Sequence, residues 1–359
     1  MRTTIYMAVT AAIGLGIITA MSCSKSKNDD MNMNEKNIDY PAAYVVNGQS
    51  SSISVINLTT NTITDSIELM GSGNNMVMWP HHISLHNAGN VLHLALGVPG
   101  MDLSKGHSGN MSGMKGKILV LDGIKGIVQK NLEVPVANHN AAFSPDGKEI
   151  WTSQMDMDGK VLVYDAATYT LKNTIAVGME PAEVTFSADG SKAYVANGGD
   201  NTVSVINPAT KAVIAAIPVG EDPVGAWVGY DGKMYVDNEK GKSISVLDVA
   251  TNTIVQIIPL GFMPGSTSHN AAAKELWVTD PDNGKVHYWS WDNSVSQWMH
   301  GGVFNTAEGA HAVAFTKDGS IAYVTNQLAA SVSIIKVSDH SKIRDLVVGQ
   351  KPNGIVIKQ

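Results

Sequence analysis

The strongest constraint on this chain is that, from Ala42 onward, it repeats itself about every forty residues, seven times over. One register reads Tyr44-Val45-Val46-Asn47 and returns as Tyr194-Val195-Ala196-Asn197, Tyr235-Val236-Asp237-Asn238, Trp277-Val278-Thr279-Asp280 and Tyr323-Val324-Thr325-Asn326. Trp151-Thr152-Ser153-Gln154 and His93-Leu94-Ala95-Leu96 are expected to be its degenerate copies. A second register follows each, as in Ser52-Ile53-Ser54-Val55-Ile56-Asn57 and Val203-Ser204-Val205-Ile206-Asn207. A third precedes the first; it is clearest from Pro181 to Lys192, and variants begin at Pro80, Asn138, Pro223, Pro264, Ala310 and Pro352. These runs are short, rich in β-branched residues and bounded by Gly, Asn and Asp, so they read as strands.

In these registers the chain resembles the YVTN β-propeller family, over the whole stretch from about Ala42 to Gln359. The resemblance implies an all-β, seven-bladed β-propeller spanning residues 41–359. The ends of the repeat say how such a ring would close. The chain enters with the second strand of a blade, Tyr44 to Asn47, and finishes with a first strand, Pro352 to Lys358. The C-terminal strand is therefore expected to complete the first blade. A closed ring leaves only short, protected sheet edges.

Residues 1–23 read as a lipoprotein signal peptide. A basic start at Arg2 leads into an apolar run from Ile5 to Met21 that ends at Ala20-Met21-Ser22-Cys23. Cys23 is the single cysteine and stands where a lipobox places the lipidated residue, so no disulfide can form within the chain. Residues 24–40 are polar and low in complexity, and read as a flexible tether. The expected protein is exported and membrane-anchored through the lipid on Cys23. It would face the periplasm or the cell surface, with the outer membrane as one possible host. A formal charge of −7 argues against a nucleic-acid partner, which needs clustered cations.

The residue after each Pro position should face the channel mouth. Around the ring these are His81, His139, Ala182, Val224, Gly265, His311 and Asn353. The next position adds His82, Asn140, Glu183, Gly225, Ser266, Ala312 and Gly354. One loop, residues 97–116, is much longer than its equivalents and carries His107, Met111 and Met114. Imidazoles with thioethers suit copper, as Cu(I), or as Cu(II) where imidazoles dominate. His81, His139, His311, His107, Met111 and Met114 are thus candidate metal ligands, and His82, Asn140, Glu183 and Asn353 candidate ligand-binding residues. Each type also has a plainer use: methionine fills gaps in adaptable surfaces, and a rim histidine often serves only as a hydrogen-bonding group.

The His81-His82 pair is similar to the copper-lining histidines of the nitrous-oxide reductase propeller. The departures are large, since four blades lack a first-ring histidine and no cupredoxin cysteines follow. A lactonase acting on a phosphorylated acid would call for guanidinium groups, yet the only arginines are Arg2 and Arg344. The leading expectation is a non-enzymatic binding or scaffold module. It would take a protein, glycan or small molecule at the channel mouth, with no catalytic residue assigned. A copper-binding or redox propeller is the first alternative and a lactonase-like hydrolase the second.

Overall fold

Each repeat becomes one antiparallel four-stranded sheet, and the seven sheets stand in a ring. The computed structural model describes Met1 and residues 35–71, 76–88, 91–103 and 113–359. Cys23, His107, Met111 and the remainder of the signal segment lie outside the described residues.

Blades are numbered from the one that holds both ends of the repeat. In blade 1 the inner strand is Pro352–Lys358, followed outward by Ala42–Asn47, Ser52–Asn57 and Thr62–Glu68. The predicted closure is present: Tyr44 pairs with Val356 and Ala42 with Lys358, in antiparallel register. The inner strands of blades 2 to 7 are Ile83–Ala88, Ala142–Phe143, Pro181–Phe186, Pro223–Val228, Thr267–Asn270 and Ala310–Phe315.

The motif residues explain themselves in this frame. The aromatic that opens the first register is buried between neighbouring blades in six of them, as Tyr44, Trp151, Tyr194, Tyr235, Trp277 and Tyr323. The asparagine that ends it clamps the next strand. Asn197 Nδ2 donates to Thr202 Oγ1 and Ser204 Oγ, each at 3.0 Å, and Asn326 does the same to Ser331 and Ser333. A buried amide is thereby satisfied and the hairpin register is locked.

Blade 2 departs from the expected register. Ser84 pairs with Ala95, as Ala314 pairs with Tyr323 and Ala142 with Trp151, so the degenerate copy is Ala95-Leu96-Gly97-Val98 and not the run from His93. Side chains alternate with a period of two along a strand, so a two-residue slip leaves the apolar pattern unchanged and is invisible in sequence. The inner end of the tether also differs from expectation. Lys36 and Ile38 donate backbone hydrogen bonds to Lys125 and Ile124 of blade 2, and Ile38 is fully buried. It joins the core around Tyr44, Leu92 and Leu94, against which Tyr40 also packs.

Candidate metal centre at the closed end of the channel

The backbone of the inner-strand starts is held from the neighbouring blade by the third residue of the Tyr-Val-x-Asn register. Thr279 Oγ1 donates to the carbonyl of His311 at 2.7 Å, and Thr325 Oγ1 to that of Asn353 at 2.9 Å. Ser153 Oγ donates likewise to the carbonyl of Ala182. In blade 2 the third residue is Gly97, and a Cβ there would lie 2.6 Å from the carbonyl oxygen of His139. Glycine lets the backbone of His139 close in directly. His81 is fixed on the other side, where its N–H donates to the Gly97 carbonyl at 2.9 Å.

These supports bring four imidazoles and one carboxylate together from blades 2, 3, 4 and 7. Ring centroids lie 4.3 Å apart for His81 and His139, 4.5 Å for His81 and His82, and 5.6 Å for His82 and His311. Glu183 Oε1 stands 3.2 Å from His139 Nδ1 and 3.4 Å from His82 Nε2. One donor atom from each of His81, His82 and His311 falls within 4.8 Å of the other two, and the same holds for His82, His139 and Glu183. All five residues are buried, His139 and Glu183 at 1% exposure.

The arrangement suits a transition-metal ion. Nitrogen donors about 2.0–2.1 Å from a tetrahedral ion sit closer together than this, so a small inward movement of side chains would complete such a set. Burying five polar groups together otherwise costs free energy that only mutual hydrogen bonding or an ion can offset. Four imidazoles and a carboxylate match copper(II) or zinc in donor chemistry.

Of the residues singled out in sequence, His81, His139 and His311 do meet, and His82 and Glu183 belong with them. Asn140 and Asn353 are used between blades. Asn140 exchanges hydrogen bonds with the backbone of Val184, at 2.9 and 3.1 Å, and Asn353 Oδ1 accepts from Gln327 Nε2 at 2.6 Å. Met114 is 37% exposed, while Met101 and Met155 pack with Leu103 and Ala137 in a small apolar cluster.

The mouth itself differs from the expectation of an open rim. The first-ring residues His81, His139, His311 and Asn353 are buried and take no part in the wall of the channel cavity. That cavity, of about 910 Å³, begins at His82, Asn140, Glu183 and Ser266 and runs toward the opposite face, where the turns of Tyr230, Ala272 and Lys317 border it. The histidine cluster is a floor, reached from the far side.

Two residues beside the cluster escaped the sequence reading. Trp227 lines the cavity with its ring centroid 5.5 Å from that of His82. Beside it Asp237 is buried, and its Oδ1 accepts the Gly225 N–H at 2.7 Å. Burial drives the Asp237 carboxyl well above the usual range, against the opposing effects of the Trp227 indole and the Gly225 N–H. The available signal was positional: an acid stands where the other blades carry Val46, Gly97, Ser153, Ala196, Thr279 and Thr325, none of them charged.

Comparison with known proteins extends the fold and stops there. A family model described as Choice-of-anchor I domain matches residues 127–225, less than half of the chain. No curated protein sequence matches significantly. Among solved structures, the chain is similar to the periplasmic gluconolactonase of Pseudomonas aeruginosa, with a TM-score of 0.67 at 15% identity, covering 89% of this chain and 99% of that one. A protein of unknown function from Desulfotomaculum acetoxidans gives 0.68 at 13% identity, covering 88% and 98%. Hydrazine synthase of Kuenenia stuttgartiensis gives 0.60 at 17%, covering 77% and 88%. The chain shares with all three a propeller architecture.

Proposed function

We propose that this protein is an exported propeller that binds a transition-metal ion, copper(II) foremost, through His81, His82, His139, His311 and Glu183. The observation that carries the reading is the convergence of these five buried donors, in two overlapping sets, each within 4.8 Å. Copper(II) leads because a set dominated by imidazole follows the Irving–Williams order, in which copper exceeds zinc. Methionine is no longer needed for the assignment. The YVTN-type repeat and the lipobox at Cys23 support placement on the cell envelope, with the propeller as a binding module.

Metal analysis of protein purified from medium supplemented with copper and zinc tests the reading. One copper per chain is expected, lost in the His82→Ala and His139→Ala variants. Metal-free protein that takes up neither ion on titration would overturn it.

A second reading, a lactonase-like hydrolase, is favoured by the cavity of about 910 Å³ that ends on Glu183 and by the fold likeness to a gluconolactonase. Phosphorylated substrates fit poorly, since Arg344 is exposed on the outermost strand of blade 7. Turnover of unphosphorylated gluconolactone above the spontaneous rate would establish this reading.

A further inference from the structure

Four residues beyond each Pro position, the inner strands place a side chain on the cavity wall. Six blades carry a small or medium residue there: Ser84, Ala142, Thr185, Ser268, Ala314 and Val356. Blade 5 alone carries a tryptophan, Trp227. Its indole folds back over Gly225, where a Cβ would lie 2.5 Å from the ring, so the blade has been cleared to seat it. The six small residues leave open the space that this one ring faces.

The chamber is graded from end to end. Its floor holds His82 and Glu183, with Trp227 a ring away from His82. Phe143, Phe186 and Phe315, each packed against its own inter-blade core, contribute to the wall farther out. Among the described residues, Lys317 is the one lysine or arginine bordering it, at the turn on the far face. A polar floor, a flat aromatic surface beside it and apolar walls describe a site for a small molecule with a coordinating head and a planar body. The volume lies within the range of about 300–1,000 Å³ usual for such pockets.

We propose that the channel is a binding chamber for a small planar aromatic or conjugated carboxylate. The ligand enters from the face opposite the histidine cluster, sets its carboxylate at the His82–Glu183 floor and stacks its ring on Trp227. The carboxylate contact rests on the metal reading above, because a bound cation is what makes an anion welcome beside Glu183. The stacking surface does not depend on it. Offset stacking on an indole favours a flat ring over a puckered one of equal size.

Benzoate and cyclohexanecarboxylate share a head group and differ in planarity, so calorimetric titration of copper-loaded protein with the two is the direct test; benzyl alcohol and cyclohexylmethanol, which carry no charge, are the matching pair for metal-free protein. Benzoate is expected to bind the loaded protein about tenfold more tightly than cyclohexanecarboxylate. Trp227→Leu should abolish the difference, and Trp227→Phe should keep part of it, which separates lost stacking from a misfolded variant. Ala314→Trp, which fills the chamber from blade 7, should weaken both ligands together, with its melting temperature measured as a folding control. Equal affinity for the two acids in the parent protein would overturn the proposal, as would a preference that survives Trp227→Leu. If copper fails to bind, the metal reading falls by itself. The discrimination between the two alcohols in metal-free protein then still decides for or against the stacking site.

Discussion

His139 and Glu183 meet across the interface of blades 3 and 4, with Nδ1 and Oε1 3.2 Å apart and both side chains almost wholly buried. A carboxylate in this place orients the imidazole and supplies the only negative charge among the five donors. Glu183→Gln keeps the size and removes the charge. Copper affinity should fall by at least about tenfold, measured by competition with a chelator of known strength.

Removing a buried imidazole should matter far more than removing an exposed thioether. His139 is 1% exposed and held by the approach of Gly97, while Met114 is 37% exposed. His139→Ala is expected to abolish stoichiometric copper binding, and Met114→Ala to leave the dissociation constant within about twofold, since loop ligands carry an ordering cost that strand-borne ones do not. Comparable losses in the two variants would return the long loop to the site.

Ring closure is testable through Ile355, which is buried at 9% exposure on the C-terminal strand and packs with Ala43, Val45 and Tyr323. Ile355→Ala should cost about 2–5 kcal/mol in chemical denaturation. Deleting residues 352–359 should lower the melting temperature much further, because it uncovers the edge of Ala42–Asn47 as well as that core.

Asp237 makes stability depend on pH in a definite direction. Its folded carboxyl is raised by burial above the unfolded value of about 3.9. The neutral acid is the form the fold prefers, so its contribution is complete below that value. It is lost as pH rises through the folded value. Asp237→Asn keeps an acceptor for the Gly225 N–H and cannot ionise. The variant should therefore gain on the parent as pH rises above about 4 in matched urea titrations. A difference that stays constant with pH would contradict this.

The proposed lipid anchor is tested at Cys23. Cys23→Ser should move the protein from the membrane to the soluble fraction, because each buried methylene of a lipid chain contributes about 0.8 kcal/mol to anchoring. A variant that stays on washed membranes would point to the apolar run from Ile5 to Met21 as an uncleaved anchor.

The number of blades, their strand order and the closure by Pro352–Lys358 were all legible in sequence. They follow from local rules that recur around the ring: a β-branched run in every blade, an aromatic at a fixed place in six, and in four an asparagine whose amide clamps Ser or Thr five and seven residues on. His81, His139 and His311 were legible too, because the repeat carries one residue per blade to one end of the channel. What the sequence did not contain was distance and direction. Glu183 and His82 became partners of those histidines, and Asn140 and Asn353 did not, because residues at the same place in the repeat turn their side chains differently: Asn140 is engaged by the backbone of Val184 and Asn353 by Gln327. The degenerate copy in blade 2 could not be placed from its pattern, since a slip of two residues preserves the alternation. Above all, the repeat places residues around a ring and says nothing about which end of that ring is open. Only the packed structure put the histidines at the floor of a cavity that opens on the other face.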